Sequence, residues 1–219
     1  LPRSALHKAR EAPSSTKARI LTAAEAVFAA KGFDGASTRE IAAAAAVNIS
    51  SLHYHWESKE TLYFAVFENI YDQIVALVRS SIPRGSMQRP ASRTVVDQSV
   101  GRLFDFFADH PTVPKLLVRR LLETTEQTKE IERDILLPAW RRFASWTYDF
   151  SGLEQGEFDP HLFMLTVHSV LLLFMLDSHQ FTSLLGGSIR EPALRARLRA
   201  HLIHLVHTLM RGDKSRRGA

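Results

Sequence analysis

An all-α fold is predicted for this chain of 219 residues by three observations. Apolar residues recur three and four positions apart through most of its length. No stretch alternates β-branched and polar residues between hairpin turns. Cap residues also stand where the apolar periodicity begins and ends. The order of elements implies a small N-terminal three-helix unit, then a larger helical domain that shares the fourth helix.

Residues 1–15 are polar and basic, with Pro2 and Pro13, and are expected to be a flexible basic arm. A first helix is expected from Thr16, because Ile20, Ala24, Val27 and Phe28 fall on one face. Gly32 is its expected left-handed cap, with Phe33 folding back. Ser37 and Glu40 have the spacing of a capping box, which starts a second helix through the alanines. Asn48 is the expected N-cap of a short third helix from Ile49 to about Trp56, and Ser58 that of a long fourth helix ending before Pro83. Residues 83–91, "PRGSMQRPA", read as a loop. Helices are expected beyond it over about 92–109, 112–124, 127–151, 160–184 and 190–211. Pro138 should kink or break the third of these. The resulting boundaries are 16–62 for the N-terminal unit, 63–211 for the larger domain and 212–219 for a disordered tail.

Composition narrows the function. The hydrophobic share of 45% is that of a globular chain. The absence of cysteine excludes a disulfide scaffold, thiolate metal sites and a cysteine nucleophile. A net charge of +5 suits a polyanionic partner. The longest apolar run, 162–176, is shorter than the ~20 residues that span a bilayer and carries Thr166, His168 and Ser169. No membrane partner is expected, and the N-terminus lacks the apolar block of a signal peptide. Glycine-rich phosphate loops and paired His-Glu metal motifs are missing, so no enzymatic activity and no cofactor are expected.

The informative stretch is "AAAAAVNISSLHYHWESKETL". His53 and His55 are two apart, about 200° around a helix, so they point away from each other and make no metal pair. On the same helix Leu52 and Trp56 share a face and belong to the core. Ser50, Ser51 and Tyr54 point the other way, with His53 and His55 on the flanks. Two short helices across a tight turn, the second presenting hydroxyls and planar donors, form a helix-turn-helix. The second helix suits the ~12 Å width of the DNA major groove.

Residues 16 to about 66 resemble the DNA-binding domain of the TetR family of transcriptional regulators. The resemblance rests on "VFAAKGF", on "STREIA" and on "LHYHWESKETL", in order and without gaps. It implies that Thr38 holds a phosphate and that Arg39 reaches a base or phosphate. Ile49, Ser50, Ser51, Tyr54 and His55 would touch bases or backbone, with Asn48 beside them. Lys59 would grip a phosphate. Two positions depart from the family. Ala46 stands in a turn that usually holds glycine. His53 replaces a usual tyrosine that contacts phosphate, which suggests DNA affinity rising as pH falls.

The family also implies a variable C-terminal bundle for dimerisation and, in many members, a small-molecule effector. The final two helices are the expected homodimer interface, through Leu172 and the stripe Leu194, Leu198, Leu202, Leu205 and Leu209. Phe104, Phe107, Arg120, Trp140, Phe143, Phe163 and His168 are candidates for an effector pocket. His201, His204 and His207 recur at a spacing that could hold metal, but a border on the dimer interface is the simpler reading. The expected function is a cytoplasmic repressor bound to a palindromic double-stranded operator and released by an unknown effector. The alternative is a ligand-independent DNA-binding protein whose bundle only dimerises or binds a protein.

Overall fold

A computed structural model describes residues 6, 9–10, 12, 14–81, 92–123, 125–151, 159–177 and 179–210. The expected loop at 83–91, the expected tail at 212–219 and most of the expected arm lie outside them. Among the described residues every regular element is helical. They are α1 (Thr16–Gly35), α2 (Thr38–Ala44), α3 (Ile49–His55), α4 (Lys59–Ser80), α5 (Arg93–Asp109), α6 (Thr112–Leu122), α7 (Glu126–Ile131), a π turn (Glu132–Leu136), α8 (Leu137–Ser151), α9 (Pro160–Met175), α10 (His179–Leu185) and α11 (Pro192–Met210).

The chain divides into two compact units. The first holds Leu1–Gln73 and Thr112–Leu137, so α6 and α7 are grouped with the N-terminal helices. The second holds Ile74–Pro111 and Pro138–Ala219. Helix α4 contributes to both.

In the first unit, Tyr63 is fully buried and its ring meets Phe28, Phe33 and Phe67 at centroid separations of 4.8, 5.0 and 5.0 Å. These edge-on and tilted contacts suit the aromatic quadrupole. Helix α6 is fastened to α1 by polar contacts as well as by buried Leu116 and Leu117. Arg119 donates from Nε to Ala29 O at 3.3 Å and from Nη2 to Ala30 O at 3.0 Å, and the Thr112 hydroxyl donates to Glu25. Of the expected arm, Leu6 and Ala9 are buried. Arg10 bonds Asn69 at 3.0 Å and Asp72 at 2.8 Å. Arg10 is thus docked on α4 rather than free.

Gly32 departs from the expected cap. Its φ of 74° is positive, but its ψ of −177° is extended, in a region open only to glycine. The chain therefore kinks and makes a further turn through Phe33 to Gly35 instead of closing a left-handed cap.

Pro138 acts as expected, through a specific distortion. Proline has no N–H, and its ring crowds the carbonyl four residues earlier. The preceding turn widens, with the Leu137 N–H bonded to Glu132 O, five residues back.

In the second unit, α5 and α11 are joined by ion pairs. Arg195 reaches Asp105 at 3.0 Å and Asp109 at 2.6 Å, and Arg199 reaches Asp105 at 3.2 Å. The Arg195 hydrogen bond holds the Asp109 carboxyl below its usual range. The single helix expected over 160–184 is broken. Asp177 has a φ of 46°, and its carboxylate accepts from Ser188 Oγ at 2.8 Å and Ile189 N at 3.2 Å, tying the break to the segment before α11.

The leucine stripe of the final helix needs correction. Leu172, Leu194, Leu198 and Leu202 are buried inside a single chain, and Leu205 and Leu209 are half-buried. The four buried side chains have no surface to offer a second copy. The exposed leucines of α9 are Leu162, Leu165 and Leu173. His207 is also turned inward, with Nε2 on Asp97 of α5. Among the described residues no cluster of ligating side chains could hold a metal ion. No single helix there is long and apolar enough to cross a membrane.

Candidate nucleic-acid interface

Helix α2 begins with the expected capping box. The Ser37 hydroxyl accepts from Glu40 N at 3.2 Å, and the Glu40 carboxylate accepts from Ser37 N at 3.1 Å. Lys31 of α1 also bonds that carboxylate. The Lys31 bond, then the Ser37 bonds, hold the Glu40 carboxyl below its usual range.

The end of α2 is a complete Schellman motif built on alanine. Ala46 N donates to Ala43 O at 3.0 Å and Val47 N to Ala42 O at 2.9 Å. Ala46 has a φ of 52°, a left-handed conformation that costs a residue bearing a Cβ about 1–2 kcal/mol. A guanidinium from α1 sits on this corner: Arg19 Nη2 donates to Ala45 O at 2.5 Å and to Ala46 O at 2.9 Å.

Asn48 then caps α3, its Oδ1 accepting from Ser51 N at 2.7 Å. That oxygen is committed to the helix, which makes Asn48 a structural residue first. Leu52 and Trp56 are buried, with 0% and 1% exposure, and anchor α3 to the core. Ser50, His53 and Tyr54 are exposed on the sides turned away from them, Tyr54 at 84%, and Ile49, whose angle lies close to the core face, is 37% exposed. Arg39 of α2 is exposed, while Thr38 and Ser51 are half-buried. The outward face of α3 thus presents two hydroxyls, an imidazole and an aliphatic tip.

Two candidates differ from expectation. His55 is half-buried, and its Nδ1 is buried without a protein hydrogen-bond partner. Burial, then the nearby Lys17 charge, lowers its pKa, so it is a neutral flank with its ring edge against Tyr54 at 5.0 Å. Lys59 has turned inward. Its Nζ donates to Phe33 O at 3.0 Å and Ala36 O at 3.1 Å and lies 4.3 Å from the Phe33 ring centroid. Arg19 was not a sequence candidate. The signal for it was indirect: an alanine at a glycine position needs a compensating group nearby.

Residues 20–66 match the family described as bacterial regulatory proteins, tetR family. Over those residues the chain is similar to the TetR family of transcriptional regulators. It is 26% identical over 186 residues to the probable HTH-type transcriptional regulator YttP of Bacillus subtilis, covering 81% of this chain and 86% of YttP. It is 32% identical over 123 residues to the HTH-type transcriptional repressor SCO4008 of Streptomyces coelicolor, covering 55% of this chain and 58% of SCO4008. It is 30% identical over 137 residues to the HTH-type transcriptional activator FasR of Mycolicibacterium smegmatis, covering 57% of this chain and 63% of FasR. The match thus spans less than two thirds of the length of SCO4008 and FasR. In fold it is similar to the putative transcriptional regulator SCO4942 of Streptomyces coelicolor, with a TM-score of 0.64 at 21% identity over 89% of this chain and 97% of that one. The fatty acid degradation regulator FadR of Bacillus halodurans is similar too, with a TM-score of 0.64 at 18% identity over 90% and 94%. The relatives that this chain matches are thus named as transcriptional regulators, among them a repressor and an activator.

The effector-pocket candidates do not form one group. Arg120 belongs to the first unit, where it is buried with Nη1 3.9 Å from Glu132, and the other six belong to the second. There Phe104 and Phe107 are core. Trp140 meets His168 edge-on at 5.1 Å, and Phe143 meets Trp146 at 5.6 Å. These four rings and Phe163 are half-buried.

Proposed function

We propose that this chain is a homodimeric repressor of the TetR family that binds an inverted-repeat operator through α2, the Ala46 turn and α3, and that a small-molecule effector releases it. The observation that carries the DNA-binding part is the exposed row Ile49, Ser50, His53 and Tyr54 on a helix anchored behind by buried Leu52 and Trp56. An exposed tyrosine and serines on a helix of this width suit base edges, and Arg39 beside them suits a base or phosphate. Thr38 stands at the start of α2, where backbone N–H groups favour a phosphate.

A second copy would dock on α9. Leu162, Leu165 and Leu173 share one face of that helix and are exposed, and exposed apolar rows of this kind are disfavoured in a monomer. We assign the effector site to the half-buried Trp140, Phe143, Phe163 and His168 of the second unit, because an effector site needs apolar rings with a polar group among them. Coupling would run along α4, which is continuous from Lys59 in the first unit to Ser80 in the second. A differential affinity of about 1–3 kcal/mol suffices for several-fold to hundredfold release.

Selection of bound sequences from a random DNA pool with the purified protein tests this reading. Recovery of an inverted repeat supports dimeric, sequence-specific binding and supplies the operator for an effector screen. Failure to enrich any sequence at moderate salt overturns it.

A further inference from the structure

The exposed reading face of α3 is aimed by the turn that precedes it. That turn contains an energetically unfavourable residue, since Ala46 is left-handed with a φ of 52°. Its geometry is held from outside by one side chain. Arg19, on α1, sends Nη2 to Ala45 O at 2.5 Å and Ala46 O at 2.9 Å. Both acceptors lie at the C-terminal end of α2, where unpaired carbonyls carry the negative end of the helix dipole, so a guanidinium is favoured there twice over. The planar fork also fixes direction, which a lysine would not do.

We infer that Arg19 is a positioning residue for DNA recognition: it holds the α2–α3 turn in its left-handed geometry and so sets the direction in which Ser50, His53 and Tyr54 are presented. This rests on the proposed reading of α3 as the recognition helix. Arg19 reads no base itself in this role. Its contacts stand in for the glycine that would make the turn without strain. The dependence on Arg19 should therefore be greatest when residue 46 is alanine and should largely vanish when it is glycine.

The test is a double-mutant cycle on the full chain, with the operator recovered from random-pool selection and an unrelated duplex as the non-specific probe. Arg19→Met should lower operator affinity about tenfold or more, as expected when a charge-assisted contact is lost, with non-specific affinity within about twofold. Ala46→Gly should leave operator affinity within about twofold in the parent and restore most of the loss in the Arg19→Met background. Arg19→Lys should be intermediate. Amide hydrogen exchange at Val47 and Ser51 should accelerate in Arg19→Met without DNA present, and this readout remains if operator binding is too weak to measure.

Three results would overturn the inference. One is Arg19→Met binding the operator as the parent does. Another is additivity of the Arg19 and Ala46 substitutions. The third is an equal loss for operator and unrelated duplex with a flatter salt dependence, which is the behaviour of a phosphate contact. If the parent enriches no operator, the recognition-helix reading has failed; unchanged exchange at the turn then overturns the Arg19 role separately.

Discussion

The Lys59 ammonium and the Phe33 carbonyl are joined by a 3.0 Å hydrogen bond, with the Phe33 ring 4.3 Å beneath the same nitrogen. A second bond to Ala36 O at 3.1 Å leaves Lys59 holding the corner between α1 and α2. A lysine at the start of α4 was expected to grip a phosphate. The carbonyls at the corner after the Gly32 kink take it instead: Phe33 O accepts only a long 3.4 Å bond from Ala36 N besides, and a charge-assisted bond in this partly buried corner is worth more than a screened phosphate contact.

Replacing Lys59 by Met should therefore lower folding stability by about 1–2 kcal/mol, the order of a charge-assisted bond in a partly exposed setting. The slope of log affinity against log salt for non-specific DNA should stay unchanged. A slope reduced by about one, with unfolding midpoint intact, would return Lys59 to the phosphate-binding set.

Residue 46 gives a second prediction. Ala46→Gly removes the left-handed penalty of about 1–2 kcal/mol but adds roughly 0.4–1 kcal/mol of unfolded-chain entropy. The net should be stabilisation of about 0.5–1 kcal/mol, read as a small rise in the denaturant midpoint at constant slope. A drop in the midpoint would mean that the Ala46 methyl group makes a favourable contact that outweighs the strain.

The first unit was largely legible in the sequence because its signals are local. Ser37 with Glu40, Asn48 with Ser51, and the inward pair Leu52 and Trp56 are set by spacing within one or two turns. The partners of Arg19 and Lys59 are 23 to 27 residues away, and no periodicity reports a pairing of that kind. The bundle was legible as helices but not as faces. Leu194, Leu198 and Leu202 make a stripe that serves equally for a core within one chain or for a seam between two, and burial against α5 and α9 decided for the core.

His55 predicts an acid-side loss of stability. Burial lowers its folded-state pKa below the ordinary value of 6.5. For a base with a depressed folded pKa the unfolded chain binds more protons in that window, so stability falls as pH drops from about 7 through the ordinary histidine range. His55→Gln should show a smaller loss between pH 7 and 5 than the parent in urea titrations. Identical acid-side profiles would show that His55 is not the source.

Two leucines separate core from interface. Leu198 is buried, with 5% exposure, whereas Leu165 is exposed at 53%. Leu198→Ala should cost about 2–5 kcal/mol of folding stability. Leu165→Glu should leave secondary structure intact and shift the protein to monomer in sedimentation, by placing like charges across a two-fold axis. A dimer that survives Leu165→Glu would move the interface off this face of α9.

Gly32 tests how α1 is fastened to α6. Its φ of 74° and ψ of −177° suit only glycine, and a Cβ there would lie 2.1 Å from Glu123 Oε1. Glu123 follows directly on the end of α6 and lies 3.6 Å from the guanidinium of Arg119, which bonds the α1 carbonyls. Gly32→Ala should destabilise by about 1–3 kcal/mol from backbone strain. The steric part is smaller, because the carboxylate is the tip of a side chain that can swing away. Adding Glu123→Ala should therefore recover little of the loss in a thermal or urea unfolding series. Full recovery in the double variant would assign the cost to the clash, and would mean that the backbone at Gly32 relaxes into a conformation open to alanine.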